Sequence, residues 1–149
     1  MAMFTSFNIS ATGMTAQQLR MDILSQNMAN VSSTRTNDGT PYRRKNVVFE
    51  EKDANPFSKI LNAKTGNLNS YIGNGVKVTA IIEDTKTPMT TVYDPSHPDA
   101  DENGYVTYPN VNPITEMTDL IDASRAYEAN VTAFNAAKAM ALKALEIGK

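Results

Sequence analysis

The stretch NPITEMTDLIDASRAYEANVTAFNAAKAMALKALEI, residues 112–147, decides how the rest of this chain can fold. Asn112 followed by Pro113 is typical of a helix start, because asparagine caps the free N–H groups of the first turn and proline fits the first helical position. Neither proline nor glycine occurs again until Gly148, so the stretch predicts a single helix. At about 1.5 Å per residue, such a helix is roughly 50 Å long.

Apolar residues recur every seven positions on one side of this helix and predict a seam against a partner helix, interrupted at Lys138. The opposite side is also apolar, which indicates that the helix is covered on more than one side. A chain of 149 residues has little material of its own for this cover, so we expect other protein molecules to provide it. The predicted seam consists of Met117, Leu120, Ser124, Tyr127, Val131, Phe134, Ala141 and Leu145, and the opposite side of Ala129, Ala133, Ala136, Met140 and Ile147.

The alternative is a long core helix of a monomeric bundle, whose alanines serve helix propensity alone. Bundle helices normally keep a charged outer stripe. Here the acids lie near the start of the helix and the lysines near its end, an arrangement that suits the helix dipole without forming a stripe. These charged residues are Glu116, Asp119, Asp122, Lys138, Lys143 and Lys149.

A second apolar helix is predicted at residues 8–30. Arg20 and Asp22 are the only charged residues between Met1 and Val31, fewer than a solvated helix carries. Its methionines fit an ordinary core and equally a surface that accepts several neighbours. We predict that this helix and the C-terminal helix pair antiparallel within one chain. One side of it carries Phe7, Met14, Met21, Leu24, Met28 and Val31, and the far side Ile9, Ala16 and Ile23.

Loops and short strands are predicted between the two helices. Residues 32–42 contain an Asn-Asp-Gly turn signal, and strands are predicted at residues 46–50, 75–83, 90–93 and 104–108, in one antiparallel sheet of three or four strands. The polar residues 51–74 suggest at most a helical turn at residues 57–61. The basic cluster Arg43, Arg44 and Lys45 is typical of a solvated loop or of contact with an acidic partner surface.

These elements predict an α+β protein. The two terminal helices form a coiled-coil-like axial domain, residues 1–34 and 112–149, and residues 35–111 form a loop and a small β domain. The net charge of −2 and the pI near 5.4 give no basic face for nucleic acid. The absence of cysteine excludes disulfides and cysteine-ligated zinc. We expect neither membrane insertion nor a cleaved signal peptide, because no apolar run has the required length or a basic leader.

The acidic turn at residues 94–103 gathers residues of the kind that bind metals. Asp99, Asp101, Asn103 and Gly104 match the opening of a calcium loop, but Asn110 stands where a bidentate glutamate is required. No nucleophile is spaced for use with His97, the sole histidine. We therefore predict no enzyme activity and no cofactor, with a metal-binding or enzymatic module at this turn as the alternative.

Eight motifs occur together and in order along nearly the whole chain, most weakly over residues 51–74. Together they resemble the bacterial flagellar basal-body rod protein family. They are Ala11-Thr-Gly-Met-Thr-Ala-Gln-Gln-Leu-Arg-Met21, Asn27-Met-Ala-Asn30, Pro41-Tyr-Arg-Arg-Lys-Asn-Val-Val-Phe49, Gly75-Val-Lys-Val78, His97-Pro-Asp-Ala-Asp101, Gly104-Tyr-Val106, Pro109-Asn-Val-Asn112 and Ala123-Ser-Arg-Ala-Tyr-Glu-Ala-Asn130. Asp99 departs from the pattern, since some relatives have an apolar residue there.

The resemblance implies a structural subunit of the proximal rod that stacks helically around a central export channel and transmits torque. It implies export without a cleaved signal, unfolded, through the flagellar type III export apparatus, and assembly in the periplasm. The implied partners are copies of the chain, other flagellar rod proteins and the adaptor between the rod base and the MS ring. A helical secretion chaperone is a further alternative. The residues expected at packing or subunit interfaces are Met14, Met21, Leu24, Asn27, Met28, Asn30, Pro41, Tyr42, Arg43, Asn110, Asn112, Leu120, Ser124, Arg125, Tyr127, Asn130, Val131, Phe134, Ala136 and Met140.

Overall fold

The computed structural model describes residues 2–52, 64 and 74–147, and within them it contains two long helices and four strands. The α+β class is confirmed, and the helical turn predicted at residues 57–61 lies outside the described residues. In chain order the elements are α1 (Ala2–Ala29), β1 (Lys45–Glu51), β2 (Val76–Glu83), β3 (Thr90–Tyr93), β4 (Tyr105–Tyr108) and α2 (Pro113–Ile147).

The start of α2 is the one that its sequence predicts. Oδ1 of Asn112 accepts a hydrogen bond from the Ile114 N–H at 3.0 Å, and the Asn112 carbonyl accepts one from the Glu116 N–H at 3.0 Å. By contrast, α1 begins at Ala2 instead of residue 8. The early turns have no acidic residue at their start, but the Phe7 ring packs edge-on against Phe134 with 4.9 Å between centroids. Packing of this kind holds a helix end that has no cap.

All four strands lie close to their predicted positions, but the prediction that they form a single sheet is wrong. The strands form two separate two-stranded sheets, β1 with β2 and β3 with β4. The second pair is antiparallel, with Thr90 opposite Tyr108 and Tyr93 opposite Tyr105. Bonds from the Lys52 N–H to the Gly75 carbonyl and from the Asp84 N–H to the Arg44 carbonyl, both 2.8 Å, show that the first pair is antiparallel too.

The connection between the two sheets explains why they do not merge. Asp84 Oδ1 accepts bonds from the N–H groups of Lys86 and Thr87, which closes a tight turn directly after β2. The Asn110 amide then donates to the carbonyls of Asp84 at 2.9 Å and Thr87 at 3.2 Å. These bonds turn the chain away from β2 before β3 begins, so β3 pairs with β4 instead.

The chain divides into two compact units, and each contains part of both helices. The first unit comprises Met1–Gln18, Phe49–Thr79 and Ser124–Lys149, and the second comprises Leu19–Val48 and Ala80–Ala123. The predicted division into an axial domain and a β domain stays a prediction, since each unit combines helical and strand residues.

The helices pair antiparallel in both units, as predicted. In the first unit Phe7 meets Phe134, and a Cβ at Gly13 would lie 3.0 Å from Cγ of Asn130. In the second unit Arg20 bonds to Asp119, and Asn27 bonds to Glu116. In each unit the residue number on α2 falls as that on α1 rises, so the two helices of one chain run in opposite directions.

Part of the far side of α1, at Ala16 and Ile23, is covered by the chain itself. Both are buried. The reason is that the chain around the strands lies against this helix: in the first unit the Val76 N–H donates to Thr12 Oγ1 at 3.2 Å, and in the second unit Asn27 binds the backbone of Lys45. Phe4 and Ile9 remain exposed.

Candidate assembly surface and buried polar cluster

A buried polar cluster in the second unit joins α1, β1 and α2. Its centre is Asn27, whose side chain is fully buried. Asn27 Oδ1 accepts hydrogen bonds from the Tyr42 hydroxyl at 2.9 Å and the Lys45 N–H at 3.0 Å, while Nδ2 donates to the Lys45 carbonyl and to Glu116 Oε2, both at 2.9 Å. An asparagine amide has two donors and two acceptor sites, and here all four are used. We define the cluster as Arg20, Asn27, Tyr42, Arg44, Glu116 and Asp119.

The cluster pairs two basic side chains from the first part of the chain with two acidic side chains from α2. Glu116 is fully buried, and its Oε1 accepts a hydrogen bond from Arg44 Nε at 2.5 Å. Asp119 lies between two guanidinium groups, 3.3 Å from Arg20 and 3.4 Å from Arg44. The bases come from α1 and from the residue before β1, and both acids come from α2. A buried ion pair is stable when both partners and their further hydrogen bonds are present, as they are here.

Burial raises the pKa of the Tyr42 hydroxyl, and the neighbouring carboxylates of Glu116 and Glu83 raise it further. The phenol therefore keeps its proton at neutral pH and can donate it to Asn27. Asn110 extends the network, because its Oδ1 accepts a hydrogen bond from the Arg44 N–H at 2.9 Å.

The cluster and the adjoining Asn110 unite three residues expected at interfaces with four that sequence reasoning missed, Arg20, Arg44, Glu116 and Asp119. Asn27, Tyr42 and Asn110 were expected. Glu116 and Asp119 had been assigned to the helix dipole, and Arg44 to a loop or an acidic partner. The acidic partner of Arg44 is α2 of the same chain. One signal could have found it, because Glu116 falls in phase with Leu120, Ala123 and Tyr127 and is thus a charge at a seam position.

The buried side of α2 differs by one position from the predicted seam. Leu120, Tyr127, Phe134 and Ala141 are half-buried as expected, and so are Ser124 and Val131, but the fully buried positions are Glu116, Ala123 and Ala137, each one residue before a predicted position. Ala123 and Ala137 are buried, whereas Met117 and Leu145 are exposed. Small residues allow helices to approach closely, and two of the three buried positions on the described part of α2 are alanines. Lys138 therefore does not interrupt the seam.

The outer face of α2 consists of Ala129, Ala133, Ala136, Met140 and Ile147. All five residues are exposed in the single chain, Met140 at 66% and Ile147 at 87%. Leu142 and Leu145 add further exposed apolar surface nearby. Exposed apolar surface of this kind is typical of sites where another protein binds.

The other residues expected at interfaces occupy positions from buried to exposed, and their role at an interface stays a prediction. Leu24 is buried, and Asn112 and Arg125 are exposed. Those that are half-buried are Met14, Met21, Met28, Asn30, Pro41, Arg43, Ser124 and Val131.

The acidic turn is bonded within the chain. Asp94 accepts bonds from the Ser96 hydroxyl and N–H, which lower the pKa of its carboxyl group. Asp99 accepts a bond from the Thr34 hydroxyl at 2.8 Å and lies 3.8 Å from Arg35, while the Asp99 N–H donates to His97 Nδ1 at 3.1 Å. Among the described residues, no three His, Asp or Glu side chains come together as metal ligands.

Neither helix in the described part of the chain is both long and apolar enough to cross a membrane. Two long paired helices, an exposed apolar face and a cluster of paired polar groups, with no group of metal ligands among the described residues, are typical of one class of protein, a structural subunit. Comparisons with known proteins agree. The family model described as "Flagella basal body rod protein" matches residues 7–35, and that described as "Flagellar basal body rod FlgEFG protein C-terminal" matches residues 102–147.

Full-length relatives indicate the same family. The chain is 51% identical to the flagellar basal-body rod protein FlgC of Bacillus subtilis, over 100% of both chains. It is 49% identical to FlgC of Borreliella burgdorferi, over 99% of this chain and 98% of the relative, and 40% identical to FlgC of Salmonella typhimurium, over 100% of both. The chain therefore belongs to the flagellar basal-body rod protein family, as its motifs predicted, and is a structural subunit of the basal-body rod.

Proposed function

We propose that the chain builds the proximal part of the rod by stacking with copies of itself and with other rod proteins, and that the outer face of α2 is a principal contact. The observation that carries the proposal is the exposure of Met140, Ile147 and the alanines of this face in the single chain. Burying a large apolar side chain contributes about 1.5–3 kcal/mol, and the alanines allow a neighbouring helix to approach closely. A single chain gains nothing from this face, whereas a stack of chains buries it.

The finer features of the assembly belong to the same proposal. The antiparallel helix pair is the axial element, copies surround the central export channel, and the rod so formed transmits torque. The adaptor between the rod base and the MS ring is a neighbour. The chain arrives unfolded through the flagellar type III export apparatus, and the absence of cysteine supports this, since it cannot form a disulfide on the way.

We further propose that the subunit has no catalytic role, because Asp94, His97 and Asp99 of the turn at residues 94–103 are engaged in bonds within the chain. Replacing His97, Asp99 and Asp101 together is then expected to lower local stability and to leave rod assembly intact. Loss of a metal-dependent or enzymatic activity in this variant would favour the alternative.

A charge placed on the outer face tests the proposed contact. Ala136→Glu is expected to abolish swimming in cells that lack their own copy of the protein, because a carboxylate cannot be buried unpaired in a helix interface. Ala136→Gly is expected to weaken assembly through lower helix propensity. The matched control is Asn135→Glu, which adds the same charge one residue away on another exposed side of α2.

Circular dichroism of the purified variants separates folding from assembly, and all three should remain helical. If cells with Ala136→Glu still build rods and swim, the outer face is exposed to solvent in the rod and the proposed contact is wrong.

A further inference from the structure

We propose that a second surface of α2, a stripe formed by Ile114, Met117 and Ile121, binds the outer face of α2 in another copy of the chain. Because this contact names the partner of the outer face, it rests on the proposed function and deepens it. The stripe belongs to the second unit and the outer face to the first unit, so the contact joins units of two different copies.

The stripe is exposed although its three side chains are large and apolar. Ile114 is 76% exposed, Met117 55% and Ile121 49%. The contacts that this part of α2 makes within its own chain lie on another side of the helix, where Glu116 and Ala123 are buried. The stripe is therefore separate from the seam with α1, and the described part of a single chain leaves it largely open to solvent.

The spacing of the stripe indicates that its partner is a helix. Its residues follow one another at intervals of three and four, so they form a row along one side of α2. Rows with this spacing pack against another helix in coiled coils, and they are the anchors of helices that bind in apolar grooves. We therefore expect a helix of a neighbouring molecule to cover the stripe.

The outer face of α2 is a helical surface of matching shape. Ala129, Ala133 and Ala136 are exposed and follow one another at intervals of four and three. Alanine side chains leave room on a helix surface into which the larger side chains of a neighbouring helix can pack. The stripe supplies the large side chains and the outer face supplies the small ones. Two stripes would instead place large side chains against large ones.

A contact between two different surfaces also suits a subunit that stacks. When a surface binds the same surface of another copy, the pair is closed, whereas a contact between different surfaces leaves one of each free for the next copy. Each chain has both surfaces among its described residues. A stack built by this contact can therefore continue to grow.

The exposed charges favour the same arrangement. Asp122 directly follows the stripe, and Lys143 lies between Met140 and Ile147 of the outer face. Lys143 also pairs with Glu146 at 2.7 Å, but both side chains are largely exposed, so this pair is weak. Contact of a stripe with an outer face brings opposite charges together, whereas two stripes would bring two aspartates together.

A charge placed on the stripe tests whether it is buried in the rod. Met117→Glu is expected to reduce swimming at least tenfold in cells that lack their own copy of the protein, because a carboxylate cannot be buried unpaired. The matched control is Thr115→Glu, which adds the same charge at an exposed position outside the stripe and should leave swimming unchanged. Circular dichroism of the purified variants checks that both remain helical. Normal rods and swimming with Met117→Glu would overturn the proposal.

Cysteine crosslinking then identifies the partner, because the chain contains no cysteine of its own. Cells produce two versions of the chain together, one with Met117→Cys and one with cysteine in place of Ala129, Ala133 or Ala136. Isolated rods are oxidised, and mass spectrometry identifies the joined peptides. We expect a mixed disulfide with at least one of the three alanine positions, at least tenfold above the level with the control Asn135→Cys, which lies on another exposed side of α2.

Rods that form with no mixed disulfide above the control level, or with Met117→Cys joined to itself, would overturn the proposal. That result leaves the outer face free to bind another partner, so the proposed function stands or falls separately with Ala136→Glu. If Ala136→Glu blocks the rod and the mixed disulfide is absent, only the stripe is rejected as the partner. If Ala136→Glu leaves the rod intact, both the outer-face contact and the stripe contact are wrong.

Discussion

At the scale of single residues, the buried carboxylate of Glu116 is a group whose stability depends on its hydrogen-bond partners. It has no access to solvent, and it accepts hydrogen bonds from Asn27 and Arg44. Its removal leaves the buried Asn27 amide and the partly buried Arg44 Nε each without an acceptor. The penalty arises from the partners left behind as much as from the lost bonds.

We predict that Glu116→Ala lowers the free energy of unfolding by about 3–5 kcal/mol, the range found when one partner of a buried ion pair is removed. Urea unfolding followed by circular dichroism measures it. Glu128→Ala, which removes an exposed acid from the same helix, is the control and should change stability by less than about 0.5 kcal/mol. Equal effects of the two substitutions would contradict the cluster's role in stability.

Tyr42 gives the fold a dependence on alkaline pH. Its pKa is raised in the folded chain, so the folded state holds the phenol proton more tightly than the unfolded state, whose tyrosines titrate near about pH 10. The stabilising effect is complete below that pH and is lost as pH rises through the folded-state pKa.

Tyr42→Phe is therefore predicted to show a shallower loss of stability above about pH 10 than the parent chain. Urea midpoints between neutral and strongly alkaline pH provide the comparison, and the exposed Tyr93→Phe serves as control. Parallel declines in the parent and in Tyr42→Phe would show that the buried phenol contributes nothing to the pH dependence.

At the scale of elements, the sequence predicted what depends on local pattern. The Asn112 cap, both long helices and all four strands follow from neighbouring residues. The pairing of the strands was wrong because it depends on Asn110, which bonds to carbonyls more than twenty residues earlier in the chain. The buried cluster was incomplete for the same reason, since Glu116 is 89 residues from Asn27. The seam differed by one position because large side chains were taken as the signal, whereas two of the three buried positions on the described part of α2 are alanines.

Gly75 directly precedes β2 and lies against α1, and its position accepts only glycine. Its φ of +98° is unfavourable for other residues, and a Cβ would lie 2.0 Å from Thr12 Oγ1 and 3.3 Å from the Ile9 Cα. Thr12 cannot easily move, because its hydroxyl also donates to the Ile9 carbonyl and accepts from the Val76 N–H.

Gly75→Ala is predicted to cost about 1–2 kcal/mol for the backbone and about 1–3 kcal/mol more for the clash. Gly39→Ala is the matched control, with a φ of +75° but no atom within 4 Å of the added Cβ, so it should show the backbone cost alone. Thermal unfolding of both variants gives the difference. If the two substitutions cost the same, the contact with Thr12 is not tight in solution.

At the scale of the whole molecule, a single chain leaves much of α2 without a partner. Sequence reasoning anticipated the uncovered face, because the alanines and Met140 violate the polar pattern of a solvated helix. It could not decide how much of α1 the chain covers by itself, since that depends on how the strand residues fold back onto the helix at Thr12 and Asn27.

We predict that hydrogen exchange in the isolated chain is uneven along each helix. Amides next to the cluster, in residues 19–29 and 116–123, should exchange slowly, and those of residues 142–147 quickly, because their side chains are exposed and contribute little packing. Mass spectrometry of peptides resolves the two regions. Uniformly strong protection through residue 147 would mean that the end of α2 is stable without neighbours.

The open turn at Gly39 has a practical consequence for imaging. Asn37, Asp38 and Gly39 are exposed, and bonds between Thr36 and Thr40 close the turn beneath them. A fluorophore or epitope tag fused after α2 would lie beside the apolar face that neighbours are proposed to cover, whereas one inserted between Asp38 and Gly39 projects from a loop tip. Live-cell microscopy of this subunit is therefore best attempted with an internal label at the Gly39 turn.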